Sequence, residues 1–144
     1  AYTHVAHDCH LGDHVILSNA VNMAGHVFIE DWAIVGGLVP IHQFVRIGTH
    51  AFVGGGTRLA QDAPPYCRVA GRPAKPYGLN SVGLERREFS GETRSLLKKA
   101  YRMVFQSEHT ISEGVGRAAD ELEQVPEVER FLDFIRSSER GVTT

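Results

Sequence analysis

Residues 4–14 read HVAHDCHLGDH, with four histidines, two aspartates and a cysteine inside eleven residues. Two kinds of chemistry use such side chains. Imidazole nitrogens, thiolates and carboxylates ligate Zn²⁺, and a single imidazole takes and returns protons near neutrality. If His4, His7, His10 and His14 converge, the stretch is a metal centre. If one of them stands beside an acid and a hydrogen-bond donor, it is a general base. Spacing alone does not choose between these; the fold that carries the histidines does.

The composition narrows the classes. A chain of 144 residues forms one ordinary domain or a domain with a small appendage. Fifteen Lys and Arg against seventeen Asp and Glu leave it near neutral, which argues against a general nucleic-acid binder. Two cysteines, Cys9 and Cys67, make no disulfide framework and fit a reducing cytoplasm. No apolar run approaches the roughly 20 residues that span a bilayer, and no signal peptide is evident. The chain opens at Ala1, without Met and already inside a patterned segment, which reads as a piece whose N-terminal part is missing.

The pattern has a period of six. Val5, Leu11, Leu17, Met23, Ile29, Val35, Ile41, Ile47, Val53 and Leu59 are all aliphatic, and the residue four places after each is small or β-branched, Val21, Val27 and Val39 among them. The residue directly after each aliphatic is Ala, Gly or Ser in eight of ten cases, Glu30 and His42 being the exceptions. Antiparallel strands predict alternation at two with turn clusters every 8–12 residues. Ten hits in register at six predict a parallel β-helix built from hexapeptides. Three hexapeptides close one triangular coil, so residues eighteen apart stack about 4.8 Å from each other. In each hexapeptide the aliphatic and the residue four later point inward. The residue five later points outward, and those two and three later lie at the corner.

That register sorts the histidines. His4 and His10 face outward from different sides of the triangle, so they cannot share an ion within one chain. His7 stacks beneath Gly25, and Gly25 beneath Gln43; Asp8 stacks beneath His26, with His42 adjacent to Gln43. Glycine over an imidazole leaves space and an accessible N–H. A base beside an amide donor suits acyl transfer, in which one group takes a hydroxyl proton and the other receives the oxyanion. The plainer alternative is that corners favour Gly, Asp, Asn and His because these tolerate positive φ. His10, His14, His50 and His109 lack such neighbours and read as surface residues.

The repeat is expected to end at Pro64 and Pro65, which cannot sustain a strand ladder, after three coils. Helical periodicity takes over at Ser90, a candidate N-cap for a stripe of Leu96, Leu97, Ala100, Tyr101, Val104 and Phe105. Thr110 to Glu113 forms a capping box for a second helix, and Pro126 opens a third. The division is residues 1–65 as β-helix, 66–79 as a basic connecting segment and 80–144 as a small helical domain.

The segments VAHDCHLGDHVILSNAVNMAGHV, VGGLVPIHQFVRIG, VGGGTRLAQDAPPY and YGLNSVGLERREFS together resemble the acyl-ACP:UDP-N-acetylglucosamine O-acyltransferases that open lipid A synthesis. The resemblance covers essentially the whole chain and implies a mainly β fold, a left-handed β-helix with a C-terminal helical domain. It implies a cytoplasmic homotrimer with its active site between subunits. The substrates would be UDP-N-acetylglucosamine and a 3-hydroxyacyl chain on the phosphopantetheine of acyl carrier protein, with no metal, no other cofactor and no membrane segment. It makes His7 the general base, Asp8 its acidic partner and Gly25 the oxyanion N–H. His4, His26, His42 and Gln43 would surround the sugar nucleotide and acyl group, and Asn80 and Arg87 would bind the nucleotide. Arg86 would meet acyl carrier protein, with Arg46, Arg68, Arg72 and Lys75 as further basic candidates, and Gly54 to Gly56 could open an acyl groove. Some relatives carry an acid where Val82 stands, so a ribose contact there is lost. The family's N-terminal coils are absent, and the piece is expected to be impaired or inactive alone.

Three alternatives stay open. A γ-type carbonic anhydrase-like trimer would hold zinc through histidines of two chains. A β-helical scaffold would do no chemistry, and the N-acyltransferase acting later in lipid A synthesis would share the prism.

Overall fold

The computed structural model describes all 144 residues. Nine two-residue strands follow at intervals of six: β1 His4–Val5, β2 His10–Leu11, β3 Ile16–Leu17, β4 Asn22–Met23, β5 Phe28–Ile29, β6 Ile34–Val35, β7 Pro40–Ile41, β8 Arg46–Ile47 and β9 Phe52–Val53. They stack in parallel, β1–β4–β7, β2–β5–β8 and β3–β6–β9, with partners eighteen residues apart, such as His4 with Asn22 and Ile34 with Phe52. The three sheets are the faces of the prism, and the fold is the expected left-handed β-helix.

The inward positions form one core. Met23 and Ile41, Ile29 and Ile47, and Val35 and Val53 stack coil on coil, with Val21, Val27, Val39 and Val45 filling between them. Each such side chain contributes roughly 1.5–3 kcal/mol on burial. Slipping a strand by one residue would turn its core side chain outward, so the hydrophobic pattern fixes the register.

At each corner the residue three after the aliphatic adopts positive φ: Asp8, His14, Ala20, His26, Trp32, Leu38, Phe44 and His50 all lie between 56° and 67°. For L-residues this conformation costs roughly 1–2 kcal/mol each. The offset is a hydrogen bond to the coil below: His26 N donates to His7 O, Phe44 N to Gly25 O and His50 N to Asp31 O. Trp, Leu and Phe stand in this conformation as well as His and Asp, so the turn geometry does not select residue type. His7 and Gly25, one place earlier, are not left-handed at all.

The prolines do not end the helix. After Leu59 bridges Ile41, the partner spacing falls from eighteen to sixteen, Ala63 pairing with Ile47. Ala63 N and Tyr66 N, flanking Pro64 and Pro65, still donate to Arg46 O and Thr49 O. The ladder resumes at β10 Cys67–Ala70, parallel to β9, so a fourth, incomplete coil follows the expected three. The basic segment is a hairpin, β10 turning antiparallel into β11 Lys75–Leu79.

Four helices follow, one more than periodicity indicates. The extra one, α1 Ser81–Arg86, is only six residues long. Helices α2 Gly91–Phe105, α3 Ile111–Glu121 and α4 Pro126–Arg136 start where Ser90, Thr110 and Pro126 indicate. The Thr110 hydroxyl accepts from Glu113 N, while the Glu113 carboxylate turns to His109 Nδ1 at 3.1 Å. A second core packs around Phe131, Leu97, Leu132 and Leu84.

Buried Asp62 ties the C-terminal segment to the prism. Its carboxylate accepts from Arg46 N at 2.8 Å and Ser138 Oγ at 2.6 Å, its N–H donates to Gly141 O, and Thr143 N donates to its carbonyl. Asp62→Ala leaves two donors without their acceptor, and urea unfolding should report a loss of about 2–3 kcal/mol. Asp62→Asn, able to keep one acceptor, should lose less.

Candidate active site

The corner that carries HVAHDCH gathers four of the expected residues. His7 Nδ1 lies 3.0 Å from Asp8 Oδ2, and His26 Nε2 lies 3.8 Å from the same oxygen. The His7 and His26 rings meet edge to face at 5.1 Å, and His26 stacks on Phe44 at 4.8 Å. The His7 hydrogen bond, and then the His26 charge, hold the Asp8 carboxyl below the usual carboxylate range. Asp8 is fully exposed, so the pair adds little to stability. Its effect is orientation: an ionised Asp8 accepts from Nδ1–H and leaves His7 Nε2 as the free acceptor.

Gly25 roofs this imidazole. A Cβ there would fall 2.6 Å from His7 Cε1 and 2.8 Å from Nε2, so any side chain displaces the ring. The Gly25 N–H has no partner among the backbone hydrogen bonds. Amides at the equivalent position of the next corner point to carboxylate oxygens: Asp13 N donates to Asp31 Oδ1 at 2.7 Å, and Thr49 N to Glu30 Oε1 at 2.9 Å. This backbone position therefore presents its N–H to an anionic oxygen, and at Gly25 that donor is unspent.

The remaining candidates scatter around this centre. Gln43 stacks one coil above Gly25, and the His42 ring turns to its carbonyl, Nδ1 to O 3.2 Å. His4 is exposed on β1, the end strand of the β1–β4–β7 face. Asn80 and Arg87 lie across a prism face from His7, at the corner holding His14, Trp32 and His50. Asn80 is buried and caps α1, accepting from Gly83 N at 3.2 Å and donating through Nδ2 to His50 O at 3.1 Å. Arg86 is exposed and shares a groove of about 580 Å³ with Arg68 and Lys98, floored by Ile34, Phe52 and Val82 and lacking any acid. Arg46 is not part of that basic surface, since it spans Ser137 and the Phe134 ring on another face. The Arg72 side chain caps Gly56 O.

His50 corrects the expectation of a bare surface histidine. Its ring lies parallel to Trp32 and Tyr66 at 6.0 and 5.8 Å, with Phe89 edge-on at 4.9 Å, and its Nδ1 is 2.9 Å from Arg87 Nη1. The signal was in the register: positions 14, 32 and 50 fall on one corner, giving His, Trp and His. His10 and His14 are exposed, as expected of surface residues, and their rings stack on Phe28 and Trp32 at 4.4 and 4.1 Å.

Comparisons with known proteins give the family. A family model described as UDP-N-acetylglucosamine O-acyltransferase, domain 2, matches residues 62–143. The chain belongs to this UDP-N-acetylglucosamine O-acyltransferase family. Acyl-[acyl-carrier-protein]–UDP-N-acetylglucosamine O-acyltransferases of Thiobacillus denitrificans and Burkholderia mallei are 42% and 46% identical to it over 99% of its length. The crystal structure of the UDP-N-acetylglucosamine acyltransferase of Bacteroides fragilis superposes with a TM-score of 0.96 at 39% identity, covering 99% of this chain and 56% of that one. The Arabidopsis acyltransferase gives 0.91 at 39%, covering 99% and 53%. The chain thus spans about half the length of its acyltransferase relatives: 55% and 56% of the two curated proteins.

Burial first, and then Arg87 and Arg130, push the His50 imidazole down from 6.5 to about 4, with Asp31 opposing weakly. Unfolding lets it bind a proton at its ordinary value, so the unfolded state holds more protons between these limits. Stability from this residue is complete above about pH 6.5 and is lost as pH falls towards 4. Thermal melts across that window should show a steeper decline for the wild type than for His50→Asn.

Proposed function

We propose that this chain carries the catalytic corner of an O-acyltransferase, which moves a 3-hydroxyacyl chain from acyl carrier protein to the 3-hydroxyl of UDP-N-acetylglucosamine, the first step of lipid A synthesis. The observation that carries this reading is the free Nε2 of His7 beneath the unpaired Gly25 N–H, with Asp8 on Nδ1. His7 Nε2 takes the proton of the sugar hydroxyl as its oxygen bonds to the thioester carbonyl carbon. The Gly25 N–H receives the resulting oxyanion, and Asp8 favours the imidazolium. Collapse breaks the carbon–sulfur bond, and the imidazolium returns its proton to the departing phosphopantetheine thiolate. No other cofactor is required.

His26, His42, Gln43 and His4 frame the sugar and acyl chain, while Asn80 and Arg87 hold the nucleotide. An Arg suits a pyrophosphate through its two parallel donors. Because His7 and Arg87 lie at different corners of one prism, a homotrimer in the cytoplasm, with the site between subunits, brings them to the same substrate. Arg86 and Arg68, in the basic groove, meet the acidic surface of acyl carrier protein. No helix is long and apolar enough to cross a membrane, in keeping with a carrier-protein substrate.

A zinc reading has one observation in its favour: His7, Asp8 and His26 each offer a ligand atom within 4.8 Å of the others. It predicts stoichiometric zinc whose removal abolishes function.

The test uses residues 1–144 alone and grafted onto the N-terminal half of the Bacteroides fragilis acyltransferase. Each is incubated with UDP-N-acetylglucosamine and a panel of 3-hydroxyacyl carrier proteins, and product mass is read. The graft should form acylated sugar nucleotide without added metal. His7→Ala should lower turnover at least about 100-fold while the assembly persists. Gly25→Ala, whose methyl displaces the ring, should lose comparably with the melting temperature retained. A folded, trimeric graft that makes no product, or one indifferent to His7→Ala, contradicts the reading.

A further inference from the structure

The corner bearing Trp32 and His50 contains a contact that the chemistry above leaves unused. Arg87 is the residue on which nucleotide binding rests, and an exposed arginine explores many rotamers. Here it is held on two sides: Nη1 lies 2.9 Å from His50 Nδ1, and the guanidinium carbon stands 5.4 Å over the Trp32 ring. A guanidinium is always charged and donates only, so His50 Nδ1 must be the acceptor and the ring neutral, with its proton on Nε2.

The His50 ring is itself immobilised. Trp32 and Tyr66 flank it in parallel, Phe89 meets it edge-on, and its carbonyl accepts from Asn80. We propose that His50 is a positioning residue: its neutral Nδ1 holds the Arg87 guanidinium over Trp32, so that the donors left free are aimed at a phosphate or pyrophosphate group. One N–H on His50 and one face on Trp32 leave the outer edge of the fork for two parallel bonds to the anion. Less side-chain freedom is then lost when the nucleotide binds. This rests on the reading that Arg87 binds the nucleotide.

The test separates the two ideas. UDP-N-acetylglucosamine is titrated calorimetrically into the wild-type chain and into His50→Phe, His50→Asn and Arg87→Ala, with folding checked by circular dichroism. Emission from Trp32, the chain's single tryptophan, is recorded for each without ligand. His50→Phe keeps a stacking ring and loses the acceptor; His50→Asn keeps an acceptor and tolerates the left-handed backbone. His50→Phe should bind about tenfold more weakly, His50→Asn should recover most of that loss, and the emission of His50→Phe should match that of Arg87→Ala. Wild-type affinity in a folded His50→Phe overturns the proposal. If His50→Phe does not fold, His50→Met replaces it and is read the same way. If the wild-type chain alone binds no nucleotide, the titration is made on the trimeric graft, and a folded trimeric graft that binds none ends the binding role of Arg87. Emission then decides the positioning: His50→Phe resembling Arg87→Ala supports it, and resembling the wild type overturns it.

Discussion

The structure depends on the eighteen-residue register of the parallel ladder. Hydrogen bonds between coils, such as His4 N to Val21 O and His10 N to Val27 O, set each residue directly above or below another of known number. Inward aliphatics lock that register, because every slip exposes a stacked column of them. Once it is locked, the corners are built without freedom. One residue turns left-handed and donates to the coil below, and the residue before it keeps its N–H outward.

This second residue is where the proposed chemistry lies. At the corner of Asp13 and Thr49 its amide is occupied by a carboxylate. At the corner of His7 and Gly25 no carboxylate reaches it: the positions equivalent to Glu30 and Asp31 are Ala6 and Gln43, and the neighbouring acid, Asp8, is turned to His7 Nδ1. In the proposed mechanism the two corners divide the labour: one holds the proton acceptor and oxyanion donor, and the other holds the arginine and its aromatic support. The groove of about 580 Å³ lies apart from His7, against Arg68 and Arg86, which suits the proposed placement of the reactive corner between subunits.

Much of this was legible in residue order. The period of six gave the coils, and adding eighteen brought His7 to Gly25 and Asp8 to His26 before any coordinates. Capping chemistry at Ser90, Thr110 and Pro126 marked three helices. What escaped had physical causes. The two-residue shortening between Leu59 and Ala63 broke the numerical period, while backbone bonds on either side of Pro64 and Pro65 carried the ladder onward, so the fourth coil went unseen. Helix α1 is too short to have a periodicity. Asn80 was legible as a polar side chain but not as the cap that ties α1 to His50. His50 was passed over because its partners Arg87 and Phe89 arrive from a helical segment whose docking no repeat encodes.

The central claim is that Asp8 fixes the His7 proton on Nδ1 and leaves Nε2 bare beneath Gly25. Long-range ¹H–¹⁵N spectra of the labelled chain at mildly alkaline pH, with His7 assigned by its loss in His7→Gln, measure this directly. The account predicts a protonated Nδ1, an unprotonated Nε2, and a shift of that balance in Asp8→Asn. A His7 ring carrying its proton on Nε2, or one indifferent to Asp8→Asn, would contradict it.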